Sequence, residues 1–577
     1  MYRAGAVQNP WRASLPASRS RLVLAALLLS MLLLCGRAFF LQAVNHSVLQ
    51  ARGDAYYRRI IEVPAYRGRI VDRNGEPLAV STPVRSVWAV PSEVEATSAE
   101  FAQLARLLEL STHELRAKLA ETEREFVSLN RSVPPEIAAR ITALQVPGIF
   151  QDTAYRRFYP AGDVMAHLVG FTDLADHGQE GMELAFQKEL AGTPGRRGVI
   201  RDRKGAVVED AGLMREAQQG RDVTLSIDAR IQSLAFRALR DAVIAQHARA
   251  GSIIVLDTQS GEVLALANLP TFNPNNRGQR DPAQLRNRVL TDSFEPGSTL
   301  KPFTISVALE EGKVTPETLI QTAGTFAVGT ATIHDAHQEG VLNVAQVIQK
   351  SSNIGAAKIA LGLTAESMWQ MFQSVGFGTA PHLGFPGESG GRLRNYKTWR
   401  PIEQATMAYG HGIAVSLAQL AHAYLMFARD GEVISLSLTR SVAEPEAHRV
   451  ISAKTAKQVR TMLEMAVQPG GTAPAAQIVG YRVGGKTGTA HKPENGTYSE
   501  SKYIASFVGM APASHPRFVI AVMIDEPHSG EYYGGQVAAP VFATVMSGAL
   551  RMFNIAPDAP MTPIALPTSD GVVEEGT

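Results

Sequence analysis

The chain has 577 residues, 45% of them hydrophobic and 19% charged, with a net charge of +2. That balance excludes a wholly disordered, collagenous or coiled-coil chain and leaves no global basic field for nucleic acid. Cys35 is the only cysteine, so neither an intramolecular disulfide nor a cysteine metal site can form.

Arg3, Arg12, Arg19 and Arg21 precede the apolar stretch 22–41, which Arg37 alone interrupts, and the first acidic residue is Asp54. About 20 apolar residues cross a bilayer as one helix. Residues 22–44 therefore read as a transmembrane anchor behind a cytoplasmic arm, 1–21, with the bulk of the chain outside. A cleaved signal peptide is the rival reading, although 35–40 offers a poor cleavage site.

Asn74-Gly75 between apolar-rich runs predicts a hairpin over 58–79. Residues 97–145 read as helical, on Leu104, Leu107, Leu108, Leu115 and Leu119. A second hairpin, 199–207, echoes the first. Residues 222–228 read as a last strand before a helix over 229–246, so a domain boundary is placed between 45–228 and 229–556. Beyond it, 251–257 and 262–267 form a buried hairpin, a mostly helical stretch runs to about 468, and 503–511 pairs with 517–525. An apolar helix follows over 539–553, and 557–577 reads as a disordered tail. Strands at both ends with helices between predict an α+β domain: one antiparallel sheet holding the first and last hairpins, covered by helices.

Three short motifs carry chemistry. Ser298 and Lys301, three apart, lie on one face of a helix, where a neutral lysine amine could take the serine proton. An ordinary lysine titrates near pH 10, so burial or a second cation must lower it. The same spacing recurs at Ser499 and Lys502, but there in loop-like composition. Ser298 follows Pro296-Gly297 and opens an apolar helix, which exposes free backbone N–H groups beside it. Taken alone, the pair also fits a capping serine and a solvated lysine. Ser351 and Asn353, two apart, can face one side of a turn, or simply cap a helix. Gly484 to Ala490 reads as an edge strand with Lys486, Gly488 and Ala490 on one face and Thr487 and Thr489 on the other.

In order, these are the S-x-x-K, S-x-N and K-T-G motifs of penicillin-binding proteins and class A β-lactamases. The chain resembles a class B penicillin-binding protein, nearest the penicillin-binding protein 3 group of septal peptidoglycan D,D-transpeptidases. Arg67-Gly68-Arg69-Ile70 with Asp72-Arg73-Asn74-Gly75, then Arg157, Tyr159-Pro160 and Gly181-Met182-Glu183, resemble motifs of that family's non-catalytic pedestal. Phe294-Glu295-Pro296-Gly297-Ser298 resembles the septal more than the elongation branch, and 503–512 with Tyr532-Tyr533-Gly534-Gly535 resemble the strand and loop beside the active site. Tyr409-Gly410-His411-Gly412 departs from the pattern, which has tyrosine at 411, and leaves the main septal enzyme and a paralogue both open.

The resemblance implies a pedestal at 45–228 and a transpeptidase domain at 229–556. It implies that Ser298 attacks a terminal D-Ala-D-Ala, with Lys301 as base, Ser351 as proton relay and Asn353 as substrate anchor. Lys486, Thr487 and Thr489 would hold the substrate carboxylate, with Gly488, Ser352, Tyr409 and His411 also binding substrate. The backbone N–H groups of Ser298 and Thr489 would form the oxyanion hole. Expected partners are stem peptides, lipid-linked precursors, β-lactams, the membrane, and a SEDS-family glycosyltransferase with other division proteins. No cofactor, metal or nucleic acid is expected. The resemblance places the chain in the bacterial inner membrane with its catalytic domain in the periplasm.

Three rivals remain at this point. Residues 480–487 fit the P-loop pattern of an ATPase, provided a helix comes next. A β-lactamase needs a water-activating carboxylate that no motif supplies. A non-catalytic β-lactam sensor or scaffold could keep all three motifs. His334 and His337 have metal-like spacing without a third ligand and read as a polar loop.

Overall fold

The structure, a computed structural model, describes residues 16–49, 58–120, 126–201, 207–276, 278, 281–441, 443–494 and 497–562. The chain divides into two compact units. One comprises residues up to 65, 86–152 and 193–218, the other 66–85, 153–192 and 219 onward.

In the first unit, the helix Ala17–Phe39 continues through a π-helical turn, Phe40–Val44. Within these 28 residues an 18-residue window reaches a mean hydropathy of 2.3, and none of it is buried. At about 1.5 Å per residue the helix is long enough for a ~30 Å hydrocarbon core. It starts at Ala17, inside the expected cytoplasmic arm. The helices Ser98–Leu107 and Thr112–Leu119 each open on a capping box, Thr97 with Glu100 and Ser111 with Glu114. The all-helical reading of 97–145 fails after them. Val127–Val133 is a strand with Val127, Leu129 and Val133 buried, before the helix Pro135–Ala143. The expected second hairpin forms between Gly195–Arg201 and Val207–Arg215, although its turn falls outside the described residues.

The second unit holds a five-stranded antiparallel sheet. Its strands are β1 (Ala250–Asp257), β2 (Val263–Leu269), β3 (Gly484–Glu494), β4 (Thr497–Ala511) and β5 (Phe518–Asp525). The order is β2-β1-β5-β4-β3, so the first and last hairpins share one sheet as expected, and the strand bearing Lys486 is its edge. Side chains along a strand alternate between faces. Phe518, Ile520, Val522 and Ile524 of β5 accordingly join one core with the helices Ala229–Ala245 and Ala539–Met552. Val519, Ala521 and Met523 join another with Tyr424, Leu425 and Phe427 of the helix Leu417–Ala428. A sheet covered on both faces explains why β1, β2 and β5 read as unbroken apolar runs.

The predicted Asn74-Gly75 turn is present: Ile70 pairs with Ala79, and Asp72 accepts from the backbone N–H groups of Asn74 and Glu76. Nearby, a single buried carboxylate serves two buried guanidiniums. Arg67 Nη2 lies 2.7 Å from Glu183 Oε2 and Arg157 Nε lies 2.6 Å from Oε1, with all three side chains at most 1% exposed. Gln187 Oε1 and the carbonyl of Asp176 take further Arg67 N–H groups, and Ser81 Oγ takes one from Arg157.

The segment expected to begin a disordered tail is bonded instead. Asp558 accepts from the N–H groups of Arg482 and Ser514, and its own N–H donates to the carbonyl of Gly480. Residues 563–577 lie outside the described residues.

Removing one partner of a buried ion pair leaves an uncompensated charge, at a cost of about 3–5 kcal/mol. Glu183→Ala strands two cations and is expected to lower unfolding free energy by at least that much. Urea denaturation checks it, and Arg69→Ala, which breaks the exposed pair with Asp222, should leave the denaturation midpoint nearly unchanged.

Candidate active site

The turn carrying the first motif is a short 3-10 segment, Gly297–Leu300, that feeds the helix Lys301–Glu310. Tyr424 O–H holds it from the core side by donating to the carbonyl of Thr299 at 2.8 Å. The turn also lies against β3. A Cβ on Gly488 would come within 2.7 Å of the carbonyl of Pro296, and one on Gly410 within 2.2 Å of the carbonyl of Gly297. Both positions therefore need glycine for close backbone approach.

Lys301 is fully buried, and its amine joins the first two motifs. Nζ lies 2.8 Å from Ser298 Oγ and 3.0 Å from Ser351 Oγ, and it also donates to the carbonyl of Ser351. Ser351 sits at φ +60°, a left-handed conformation that non-glycine residues adopt at a cost. That kink aims both its oxygens at Lys301.

Ser352 caps the helix Asn353–Leu361 by accepting from Gly355 N–H at 2.9 Å. Its O–H donates to Asp335 Oδ2 at 2.5 Å. Asp335 Oδ1 accepts from the N–H groups of Asn353 and Ile354, where a helix start favours a negative charge. Asp335 is a site residue the sequence reading missed. Its segment stood out only as a polar loop with two histidines, and among the described residues no group of three potential ligands could hold a metal. Asn353 Nδ2 donates weakly to the carbonyl of His334 at 3.4 Å, while its Oδ1 is buried without a hydrogen-bond partner.

The third motif lies on β3 in pairing with β4, with Lys486 opposite Val508 and Gly488 opposite Ser506. Lys486 Nζ donates to Thr487 Oγ1 at 3.0 Å, and Thr487 Oγ1 is 2.8 Å from Thr472 Oγ1. Thr489 Oγ1 accepts from Gly534 N–H at 3.1 Å. Because β3 continues as strand through Glu494, no helix comes after Thr487 and the P-loop reading fails. Ser499 and Lys502 lie on β4 away from this cluster, and Lys502 pairs with Glu494 at 2.7 Å.

Tyr409 and His411 flank the turn. Their rings meet edge to face at 5.4 Å, and His411 meets Tyr498 in the same way at 5.7 Å. Burial, then the charge of Lys301, push the His411 imidazole down to about 4. Burial, then the charge of Asp335, push the Tyr409 phenol up to about 12. Burial also raises the Glu295 carboxyl against bonds from Gly412 and Tyr498 that lower it.

An imidazole near 4 when folded and near 6.5 when unfolded binds its proton first in the unfolded chain. Its contribution is complete above pH 6.5 and is lost as pH falls through about 4, worth roughly 3 kcal/mol at most. Melting temperature should therefore drop between pH 6.5 and 4 less steeply for His411→Asn than for the unaltered chain; equal slopes would contradict the assignment.

Comparison with known proteins gives a consistent picture. The family model described as penicillin binding protein transpeptidase domain matches residues 251–547, and that described as penicillin-binding protein dimerisation domain matches 62–225. The probable peptidoglycan D,D-transpeptidase PenA of Neisseria gonorrhoeae is 40% identical over 95% of both chains. The peptidoglycan D,D-transpeptidase FtsI of Escherichia coli K12 is 39% identical over 97% of this chain and 96% of its own. Among solved structures, the transpeptidase domain of Burkholderia pseudomallei penicillin-binding protein 3 is 50% identical, with a TM-score of 0.54 over 58% of this chain and 98% of that one. Penicillin-binding protein 3 of Mycobacterium tuberculosis, complexed with aztreonam, is 28% identical, with a TM-score of 0.68 over 88% of this chain and all of that one.

Proposed function

The chain belongs to the penicillin-binding protein transpeptidase family, and from that premise we propose that it is a septal-type peptidoglycan D,D-transpeptidase working through a serine acyl-enzyme. The observation that carries the proposal is the buried Lys301 amine, 2.8 Å from Ser298 Oγ and 3.0 Å from Ser351 Oγ. An amine at hydrogen-bond distance from both hydroxyls is placed to take a proton from one and pass it to the other.

Lys301 takes the Ser298 proton as Oγ attacks the carbonyl of the penultimate D-Ala. The new C–O bond gives a tetrahedral oxyanion, received by the backbone N–H groups of Ser298 and Thr489. When it collapses, the C–N bond breaks and the terminal D-Ala leaves as an amine, receiving a proton from Lys301 through Ser351. An amine from a second stem peptide then attacks the ester carbonyl and gives up its proton to the same pair. The Ser298–acyl bond breaks and Oγ–H is restored. Asn353 Oδ1, buried and unpartnered, is an acceptor for a substrate amide N–H. Lys486, Thr487 and Thr489 receive the terminal carboxylate, and Gly488 lets the substrate backbone approach the strand. The bonds of Thr487 to Thr472 and of Thr489 to Gly534 hold these hydroxyls in place. A β-lactam, whose strained amide replaces D-Ala-D-Ala, acylates the same serine.

The proposal extends to the setting. Residues 22–44 anchor the chain in the inner membrane, 45–228 form the pedestal, the transpeptidase domain 229–556 lies on the periplasmic side, and a SEDS-family glycosyltransferase supplies glycan strands. The apolar helix supports the anchor; the orientation rests on the arginines that precede it.

Mass spectrometry after labelling with a β-lactam should place one adduct on Ser298 and none on Ser499. Lys301→Ala should slow acylation about 10²–10⁴-fold at unchanged melting temperature. An acylation rate within a few-fold of normal would show that Lys301 is not the base. Protease added to spheroplasts should degrade the catalytic domain, and its full protection would reverse the proposed topology.

A further inference from the structure

We propose that Glu295 is a positioning residue for this acyl transfer, tying the outer arm of the β3–β4 hairpin and the 410–412 turn to the turn that carries Ser298. The inference rests on the transpeptidase reading and concerns a side chain to which that reading gives no task.

Glu295 lies three residues before the nucleophile, on a segment bridged to its neighbour by Phe294 N–H to the Val415 carbonyl at 3.0 Å and the reverse bond at 2.9 Å. Its carboxylate reaches two other elements. Oε1 accepts from Gly412 N–H at 2.8 Å, and Tyr498 O–H lies 2.9 Å from Oε2 and 3.1 Å from Oε1. Tyr498 stands in the hairpin arm opposite Pro493, beyond the main run of the sheet. Nothing in the sheet's own pairing fixes that arm relative to Ser298, whereas a carboxylate held by both donors does.

His411 Nδ1 is 3.7 Å from Glu295 Oε2, too long for a hydrogen bond. The depressed imidazole keeps it neutral at pH 7, so the tie is made by the two hydrogen bonds and not by an ion pair. Tyr409, His411 and Tyr498 pack edge to face in series beside the carboxylate and fill the space between the two tied elements. Gly410 is already pressed against Gly297, so a shift of the 410–412 turn moves the nucleophile turn with it.

The test is acylation by a labelled β-lactam, with hydrogen exchange measured on the same full-length chains. Glu295→Ala should slow acylation about 10–100-fold, the penalty of misplacing a reacting group by about an ångström. Amide exchange should quicken in 497–503 and 409–412 and stay unchanged in β1, β2 and β5. Glu295→Gln keeps an acceptor oxygen, and its amide can donate to the Tyr498 hydroxyl, so it should recover most of the rate. Tyr498→Phe should slow acylation alone and add little in the Glu295→Ala background, as expected of two groups acting as one unit. Acylation of Glu295→Ala within about twofold of normal would overturn the proposal. So would effects of the two substitutions that simply multiply, or exchange that rises throughout the catalytic sheet. Failure of the unaltered chain to be acylated at all would instead overturn the transpeptidase reading.

Discussion

A primary amine removed from water must recover its hydration from fixed oxygens, and the fold around Lys301 is built to supply them. The amine meets the hydroxyls of Ser298 and Ser351 and the carbonyl of Ser351, on two segments 50 residues apart in sequence. Each segment has its own support. The Ser298 turn is held by Tyr424 from the core, and the 351–353 turn is held by Asp335 at the start of its helix. Moving either support by an ångström would break a triad whose separations lie at hydrogen-bonding distance. The strained φ of Ser351 persists because these bonds over-determine it.

The sheet supplies rigidity where the amine needs it. Its central strands are packed from both sides, so β3 can be an edge strand without being a loose one. Being at the edge leaves β3 a rim beside the Ser298 turn, and the absence of a side chain at Gly488 lets the two backbones come together. An edge also invites unwanted pairing. Here the close Ser298 turn and the polar residues Lys492 and Glu494 make it a poor template, and Lys492 is already paired with Asp525 and Glu526.

Much of this was legible in the sequence. The two hairpins of the catalytic sheet could be read because double burial writes them as continuous apolar runs. The three motifs were found because each is local. What escaped depends on contacts that are distant in the chain or that break a pattern. The strand Val127–Val133 was missed because Arg131 interrupts its alternation of apolar and polar residues and helices stand on both sides of it. Asp335 stands 17 residues before Ser352, and no local spacing reports a bond across that gap. The P-loop look-alike at 480–487 runs on into a strand where an ATPase needs a helix, a difference that lies outside the eight residues of the motif.

The bonded segment after residue 556 gives the molecule a mechanical property. Asp558 grips the N–H groups of Arg482 and Ser514, and Gly480 carries two N–H groups from this segment, so the C-terminal chain is clasped at the root of the strand that bears Lys486. A pull applied beyond residue 562 would load that root before reaching the helix Ala539–Met552. The clasp takes up the strain in four hydrogen bonds, in the manner of a cable clamp, and shields the helix Ala539–Met552 from tension arriving from beyond residue 562.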